Sequence, residues 1–337
     1  MKIQLLLSLL LLFIFSANAQ NVQIVRKDAE QKVDVLIGGK LFTSYIYSDE
    51  VDFIYPGEVV LKKPILFPIM TAKGTIITRG YPLAPRPGER TDHMHHTGMW
   101  LNYESVNGFD YWNNSTAIDA KQRVEKYGLI RHTGITKIKN GKIGQLNVTA
   151  DWVEKDGAGK VALKETTHYI FSGDDSTRVI DRETTLTAFE NDVIFKDAKD
   201  GLLALRVIRE LEHPSDKPEV LYTDATGNKT VEPVLNNEGV TGKYHSSEGI
   251  TGEAVWSTRA KWMRLSGKIG AENIDITIYD DPKNINYPTY WHARGYGLFA
   301  ANPLGEKIFS NGKKSLNFTL KKGESLTVRY RVEIKSH

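Results

Sequence analysis

The chain between residues 128 and 188 consists of four β-rich segments, GLIRHTGITKI (128–138), QLNVTADWV (145–153), VALKETTHYIF (161–171) and TRVIDRETTLTA (177–188). Short polar turns at residues 139–142, 155–159 and 172–175 separate them, and no helical period lies between. Long strands joined by tight turns are typical of an antiparallel sheet. The chain is therefore expected to be an all-β protein.

Two further pairs of β-rich segments extend this pattern toward both ends of the chain. Residues 33–37 and 41–47 flank Gly38-Gly39, a two-residue turn that is typical of a β-hairpin. Residues 315–320 and 325–334 are predicted to form a final hairpin across the polar turn between them. Because no repeat or linker interrupts the pattern, residues 20–337 are expected to form one large domain.

Met1–Ala19 has the pattern of a secretory signal peptide. Lys2 precedes an apolar run that ends at Phe15, and Ala17-Asn18-Ala19 is a small-residue cleavage site. The mature chain is therefore expected to begin near Gln20 and to be periplasmic or extracellular. Since no other apolar run is long enough to cross a bilayer, no membrane insertion is expected after cleavage.

The composition excludes several classes of function. The 44 basic and 41 acidic residues are well mixed and leave a net charge of +3. No basic stripe for nucleic acid is therefore predicted. The chain has no cysteine, which excludes disulfides and thiol chemistry. Its 15 tyrosines and 6 tryptophans suit a cleft that binds sugars.

Three of the nine histidines lie within four residues, at positions 93, 95 and 96. They belong to RPGERTDHMHHTGMW (86–100), which we call the histidine loop and which follows a proline-rich segment. Prolines favour a stiff, extended loop, and loops on a rigid scaffold often carry functional groups. Imidazole is the side chain best suited to proton transfer near neutral pH. The histidine loop is therefore predicted to be the functional centre.

A metal site is one interpretation of this loop. His93 and His95 are two residues apart, so on an extended backbone their side chains share a face and could both bind a divalent ion. A third ligand would come from His168, His292 or a carboxylate. Because His-x-His spacing alone is a weak signal, a divalent metal cofactor remains one alternative.

Two aromatic-rich segments, residues 107–113 and 281–305, are predicted to surround the histidine loop. We expect residues 281–299 to meet residues 86–113 over one face of a sheet, because a common site needs both. The candidate site residues of the two aromatic segments are Asp110, Trp112, Asp281, Trp291, His292 and Arg294.

Charged side chains within predicted strands supply further candidates. Arg206 interrupts an apolar run, and because an unpaired buried guanidinium is costly, it is expected to be paired or to face a polar cleft. His168 lies on the third segment of the meander and Glu183 on the fourth.

Four motifs occur in order along the chain. They are Arg86-Pro87-Gly88 with His93-x-His95-His96-x-Gly98-x-Trp100, Asn107-Gly108-x-Asp110-x-Trp112, Gly201-x-x-x-x-Arg206, and Asp281-Pro282 with Pro288-Thr289-x-Trp291-His292-x-Arg294-x-Tyr296-Gly297-x-Phe299. Together they resemble a secreted bacterial family described as methane oxygenase PmoA-like and otherwise of unknown function. The size and strand pattern are also similar to the galactose-mutarotase-like β-supersandwich. This resemblance implies an antiparallel β-supersandwich whose sugar chemistry uses histidines, and it carries over His95 or His96, and His168, as candidates.

The sequence leaves three functions open. The first is an enzyme such as a sugar epimerase, hydrolase or lyase, which uses His/carboxylate acid–base chemistry. Its proton donor and base would be drawn from His95, His96, His292, Asp110, Glu183 and Asp281. Its substrate would be held by Arg90, Trp112, His168, Arg206, Trp291 and Arg294.

The second function is a divalent-metal-dependent enzyme built on His93, His95 and His96. The third is a non-catalytic carbohydrate-binding module, for which aromatic loops suffice. In every case the expected partner is a carbohydrate or a sugar-derived small molecule.

Overall fold

The computed structural model describes residues 20–47, 61–224 and 228–337. The predicted signal peptide, residues 1–19, lies outside the described residues. Within the described ranges, the α-helices are short: α1 (Ala120–Lys126) and α2 (Glu306–Phe309). None of the described helices has the length and apolar character that crossing a bilayer requires.

Strands make up most of the regular structure. In the described part of the chain they are β1 (Val22–Lys27), β2 (Lys32–Ile37), β3 (Lys40–Ile46), β4 (Ile65–Ile69), β5 (Met99–Tyr103), β6 (Leu129–Lys139), β7 (Gly144–Val153), β8 (Val161–Gly173), β9 (Thr177–Ala188), β10 (Val193–Phe195), β11 (Gly201–Arg206), β12 (Lys243–Ser246), β13 (Trp262–Ile269), β14 (Glu272–Asp280), β15 (Tyr290–Arg294), β16 (Leu298–Asn302), β17 (Phe318–Leu320) and β18 (Ser325–Ser336).

Two eight-stranded sheets form the scaffold. The first sheet has the strand order β1-β2-β3-β4-β5-β11-β16-β15, and the second has the order β12-β13-β14-β18-β9-β8-β7-β6. Neighbouring strands pair antiparallel throughout both sheets. The prediction of an all-β protein with antiparallel sheets is therefore confirmed.

Of the two predicted hairpins, the N-terminal one is present and the C-terminal one is not. β2 and β3 form the expected hairpin, and Gly38 and Gly39 have φ angles of 60° and 77°, which side chains with a Cβ rarely adopt. The C-terminal hairpin prediction is wrong. β17 pairs with β10 in a separate two-stranded sheet, whereas β18 lies between β14 and β9. Short separation in sequence did not decide this pairing.

The two large sheets pack face to face around one apolar core. Phe42 of β3 meets Phe171 of β8 with ring centroids 6.3 Å apart, and Tyr45 meets Tyr169 at 6.0 Å. Because side chains alternate along a strand, each sheet also has an outer face that points away from this core. The outer face of the first sheet carries the histidine loop.

Candidate active site

The floor of the candidate site is a row of side chains across four strands of the first sheet. Trp100 of β5 is in register with Ala204 of β11, which faces Ala300 of β16, which in turn faces His292 of β15. These side chains share the outer face, and Trp100, Ala204 and Ala300 belong to an apolar cluster separate from the main core. Because the alanine side chains are small, they leave space on the outer face between Trp100 and His292 for side chains of the loops that cover this face.

Arg79 holds the histidine loop in shape. Its buried guanidinium donates hydrogen bonds to the backbone carbonyls of Asp92, His93 and His96, at 2.9, 2.8 and 3.1 Å. His93 has a φ of 43°, so the loop turns sharply there. Sequence reasoning missed Arg79, because nothing in its local context distinguishes it from a surface arginine.

Buried ion pairs lie beneath the loop. The Asp92 carboxylate contacts Arg206 at 2.8 Å and Arg79 at 2.5 Å. Burial alone would raise the pKa of Asp92, but the two guanidinium groups and the His93 imidazole hold it well below its usual range. Asp92 therefore stays ionised, and the pairing that was expected for Arg206 is present.

Two arginines predicted to bind substrate are structural. Arg206 is fully buried, and its guanidinium is used by Asp92 and by Nδ1 of His96. Arg90 is buried between Glu212 and Glu219, at 2.6 Å from each carboxylate. Most of these donors already have protein acceptors, so both arginines hold the scaffold of the site, and a substrate contact by Arg90 or Arg206 stays a prediction.

The imidazoles of the loop form a stack with neighbouring aromatic rings. His93 lies parallel to His96 with ring centroids 4.7 Å apart, and the Tyr296 ring is parallel to both, 5.1 Å from His93 and 6.4 Å from His96. His96 continues onto Trp100 at 5.4 Å and meets the edge of the buried Trp112 at 5.8 Å. This stack joins the histidine loop to the segment that follows β15, so the two segments meet as expected.

His95 and His96 are neutral imidazoles, each with a buried ring nitrogen that has no partner among the described residues. Burial lowers the pKa of both imidazoles well below the usual value, and nearby charges add to this, chiefly Lys63 for His95 and His95 and Arg206 for His96. Because a guanidinium only donates, Nδ1 of His96 accepts the 3.2 Å hydrogen bond from Arg206, and Nε2 carries the proton. Among the described residues, Nε2 of His95 and Nε2 of His96 have no hydrogen-bond partner.

His292 and Asp200 form a pair of neighbouring titratable side chains. Nδ1 of the buried His292 lies 3.3 Å from Oδ1 of Asp200, although the angle does not allow a hydrogen bond. Burial raises the pKa of Asp200 to about 6, with Lys199 opposing. Burial, assisted by the cations Lys199 and Arg294, lowers the pKa of His292 to about 3. Sequence reasoning missed Asp200, because the motif Gly201-x-x-x-x-Arg206 begins one residue after it.

Asp110 accepts hydrogen bonds from its own turn, and its role as a catalytic group stays a prediction. Its Oδ1 accepts hydrogen bonds from the backbone N–H groups of Trp112 and Asn113, at 2.8 and 2.9 Å. Its Oδ2 accepts from the Asn113 side chain at 2.8 Å. Burial raises the pKa of Asp110 to about 6 despite these bonds. The carboxylate therefore fixes the turn that carries Trp112.

Trp291 does not reach the site. It neighbours His292 on β15, so its side chain points to the opposite face, where it is fully buried in the core between the sheets. Its Nε1 donates to the carbonyl of Ala260 at 3.0 Å. The prediction that Trp291 stacks on a substrate is therefore wrong.

Three other candidates lie on the outer face of the second sheet. His168 of β8 is in register with Glu183 of β9, and Asp281 follows β14. They line an open groove of about 620 Å³, in which Glu183 pairs with Arg329 at 2.6 Å. Because the core separates this face from the histidine loop, His168, Glu183 and Asp281 are not parts of the same site.

The described residues do not complete a metal site around the histidine loop. Nδ1 of His93 lies 2.8 Å from the Asp92 carboxylate, and His95 meets His93 edge to face. Within residues 20–47, 61–224 and 228–337, no three His, Asp or Glu side chains are grouped to hold an ion. The third ligand suggested from His168 is excluded by its position on the other sheet.

The chain belongs to a family of unknown function, DUF6807, whose model matches residues 32–337. No curated protein matches the chain. Among solved structures, the chain is similar to the GH36 alpha-galactosidase AgaA from Geobacillus stearothermophilus, with 10% identity and a TM-score of 0.40. That match covers 94% of this chain and 40% of the alpha-galactosidase.

A galactose mutarotase-like protein from Clostridium acetobutylicum is also similar, with 10% identity and a TM-score of 0.34. That match covers 94% of this chain and 98% of the other. By contrast, the chain spans only about two fifths of the length of the galactosidase structures it matches.

Proposed function

We propose that the protein is a secreted enzyme that acts on a sugar or a sugar-derived molecule by proton transfer. The observation that carries this proposal is the His292–Asp200 pair, which lies on the same sheet face as the neutral imidazoles of the histidine loop. The pKa values of these two groups are set apart, at about 3 and about 6. Acid–base catalysis needs such a separation close to the substrate.

The residues take different roles in this proposal. Asp200 is ionised at neutral pH, accepts a proton from the substrate and, as the resulting carboxylic acid, returns it. Neutral His292, whose Nδ1 lies 3.3 Å from Oδ1 of Asp200, positions this carboxylate. His95 keeps an Nε2 without a protein partner, which is left to form a hydrogen bond with a substrate hydroxyl. Tyr296, half-buried beside the His93 and His96 imidazoles, offers a ring face to the apolar face of a sugar.

Export rests on Met1–Ala19, whose pattern is that of a signal peptide. This part of the proposal is tested by N-terminal sequencing of the protein recovered from the periplasm or the medium, where we expect the first residue to be Gln20.

Catalysis is tested with the mature chain and a panel of free and glycosidically linked sugars. The mixtures are followed by proton NMR in deuterated water, which detects both product and deuterium exchange at carbon. His292→Asn and Asp200→Asn should each lower kcat roughly 10²- to 10⁴-fold, the range for loss of a general acid or base. Sugar binding, measured by calorimetry, should be retained.

His168→Asn is the matched control, since it changes a histidine on the second sheet without touching this site. Turnover by His292→Asn at the wild-type rate would contradict the assignment. The absence of any converted sugar with the wild-type chain would contradict the enzyme proposal.

A non-catalytic carbohydrate-binding role is the second candidate function. The groove on the second sheet favours it, because its paired charges present both donors and acceptors to a polyhydroxylated ligand. Sugar binding without turnover, abolished by Glu183→Gln and unaffected by His292→Asn, would support this function over the first.

A further inference from the structure

Arg294 presents an unpaired positive charge to the candidate active site. It lies on β15 two residues after His292, so the two side chains share the outer face of the first sheet. Its guanidinium lies over the rings of Trp256 and Tyr296, 5.3 and 5.8 Å from their centroids. Among the described residues it takes part in no hydrogen bond and no ion pair.

The neighbouring arginines show why this is unusual. Arg79, Arg90 and Arg206 are each bonded to at least one carboxylate of the chain. Glu253 lies against Gly295, next to Arg294 in the sequence, but forms no ion pair with the guanidinium. Compared with these three arginines of the described structure, Arg294 has no carboxylate partner, so its whole guanidinium is left for a ligand.

Stacking fixes the plane of the Arg294 guanidinium before any ligand binds. A planar guanidinium with free donors matches the two oxygens of a carboxylate, to which it binds with two parallel hydrogen bonds. Nε1 of Trp256, directly beside it, is a buried donor without a partner in the described part of the chain. Two unused donors at one place indicate an acceptor-rich ligand.

The charge balance favours a single negative charge on that ligand. The guanidinium groups of Arg79, Arg90 and Arg206 are balanced by the carboxylates of Asp92, Glu212 and Glu219, and Asp200 contacts Lys199. One unpaired guanidinium remains, which matches the single charge of a carboxylate better than the nearly double charge of a phosphate monoester.

We propose that the substrate is a sugar acid, a uronate or an aldonate, whose carboxylate is bound by Arg294. The inference rests on the proposed function, because it places the sugar ring over Tyr296 and the reacting atoms near His292 and Asp200. The carboxylate then anchors one end of the molecule about two residues along β15 from the acid–base pair.

The test compares D-glucuronate and D-galacturonate with D-glucose and D-galactose by titration calorimetry and saturation-transfer NMR. We expect the acids to bind at least roughly tenfold more tightly than the neutral sugars. Arg294→Gln should weaken binding of the acids roughly 10- to 100-fold, the range for a charge-assisted bidentate pair, and leave the neutral sugars unchanged. Arg294→Lys should restore part of the affinity, because lysine keeps the positive charge but cannot form the two parallel hydrogen bonds of a guanidinium.

Arg264→Gln is the matched control. Arg264 also stacks on a ring, that of Trp262 at 5.4 Å, but it lies on the second sheet. Circular dichroism of each variant verifies folding, and Arg294→Lys supplies a second variant if Arg294→Gln is unstable.

Equal affinity for acids and neutral sugars, or an equal loss of both in Arg294→Gln, would overturn the inference. Tighter binding of glucose 6-phosphate than of glucuronate would overturn the carboxylate assignment in favour of a phosphate. If neutral sugars are turned over in a manner that depends on His292, only this inference fails. If no sugar of any kind is bound or converted, the proposed function fails with it.

Discussion

The outer faces of the two sheets carry similar side chains in different surroundings. On the second sheet, Glu183 and Arg329 form an ion pair in which both side chains are more than one third exposed to water. On the first sheet, Arg206 is fully buried, and the Asp92 carboxylate and the His96 imidazole use its donors. Water screens the first pair, whereas the second acts in a medium of low polarity. Burial, rather than the number of charges, distinguishes the candidate active site from the charged groove.

The largest expected difference between the two faces concerns stability. Arg206→Gln removes the partner of a partly buried carboxylate and of a buried imidazole, so we expect a loss of about 3–5 kcal/mol in the free energy of unfolding. Arg331→Gln removes the partner of Asp181, in a pair whose arginine side chain is 57% exposed, and should cost no more than about 1 kcal/mol. Urea denaturation of both variants measures the difference. Equal losses would show that the two faces do not differ in this way.

The pH dependence of stability sharpens the comparison within the first face. The pKa of His292 is lowered from 6.5 to about 3, so its contribution to stability is complete above pH 6.5 and is lost as the pH falls. The pKa of Asp200 is raised from 3.8 to about 6, so its contribution is complete below pH 3.8 and is lost as the pH rises through 6. The two groups therefore act in opposite directions.

His292→Asn should make the loss of stability on acidification shallower, and Asp200→Asn should make it steeper. We expect each change to be on the order of 2–3 kcal/mol between about pH 6.5 and pH 4. The measurement is the free energy of unfolding in urea at several pH values. A change of the same sign in both variants would contradict the assigned pKa directions.

The smallest change in stability and turnover is expected for a substitution on the second sheet. Glu183→Gln breaks the exposed pair with Arg329 and should change the free energy of unfolding by less than about 1 kcal/mol. Turnover of a sugar substrate should stay at the wild-type level, because the groove is separated from His292 by the core. A substantial fall in turnover, measured beside wild type, would restore Glu183 as a catalytic candidate.

The strands of the second sheet were predicted well because their signals are local. The segment expected at residues 177–188 coincides with β9, and the segment expected at residues 161–171 ends only two residues before β8 does. Turn residues and β-rich composition are readable without knowledge of the partner strand. The pairing of β17 with β10 depends on distant contacts, and the prediction failed there.

The site was predictable only in part, for a related reason. Trp291 and His292 are adjacent in an aromatic-rich segment, and composition does not tell which of them faces the core. The pairing of β15 with β16 decides it, and His292 alone reaches the site. Asp200 likewise comes close to His292 only through the alignment of β11, β16 and β15. The cluster of three histidines was recognisable because it lies within four residues.

The hydrogen bonds from Arg79 to three backbone carbonyls order the histidine loop, and this order affects the rate at which a ligand associates. A segment that is already ordered in the free protein loses little conformational entropy when a small molecule arrives. Association should then be limited by diffusion and orientation, with no slow rearrangement in front of it. In stopped-flow mixing, we expect the observed rate to rise linearly with ligand concentration and to show no plateau.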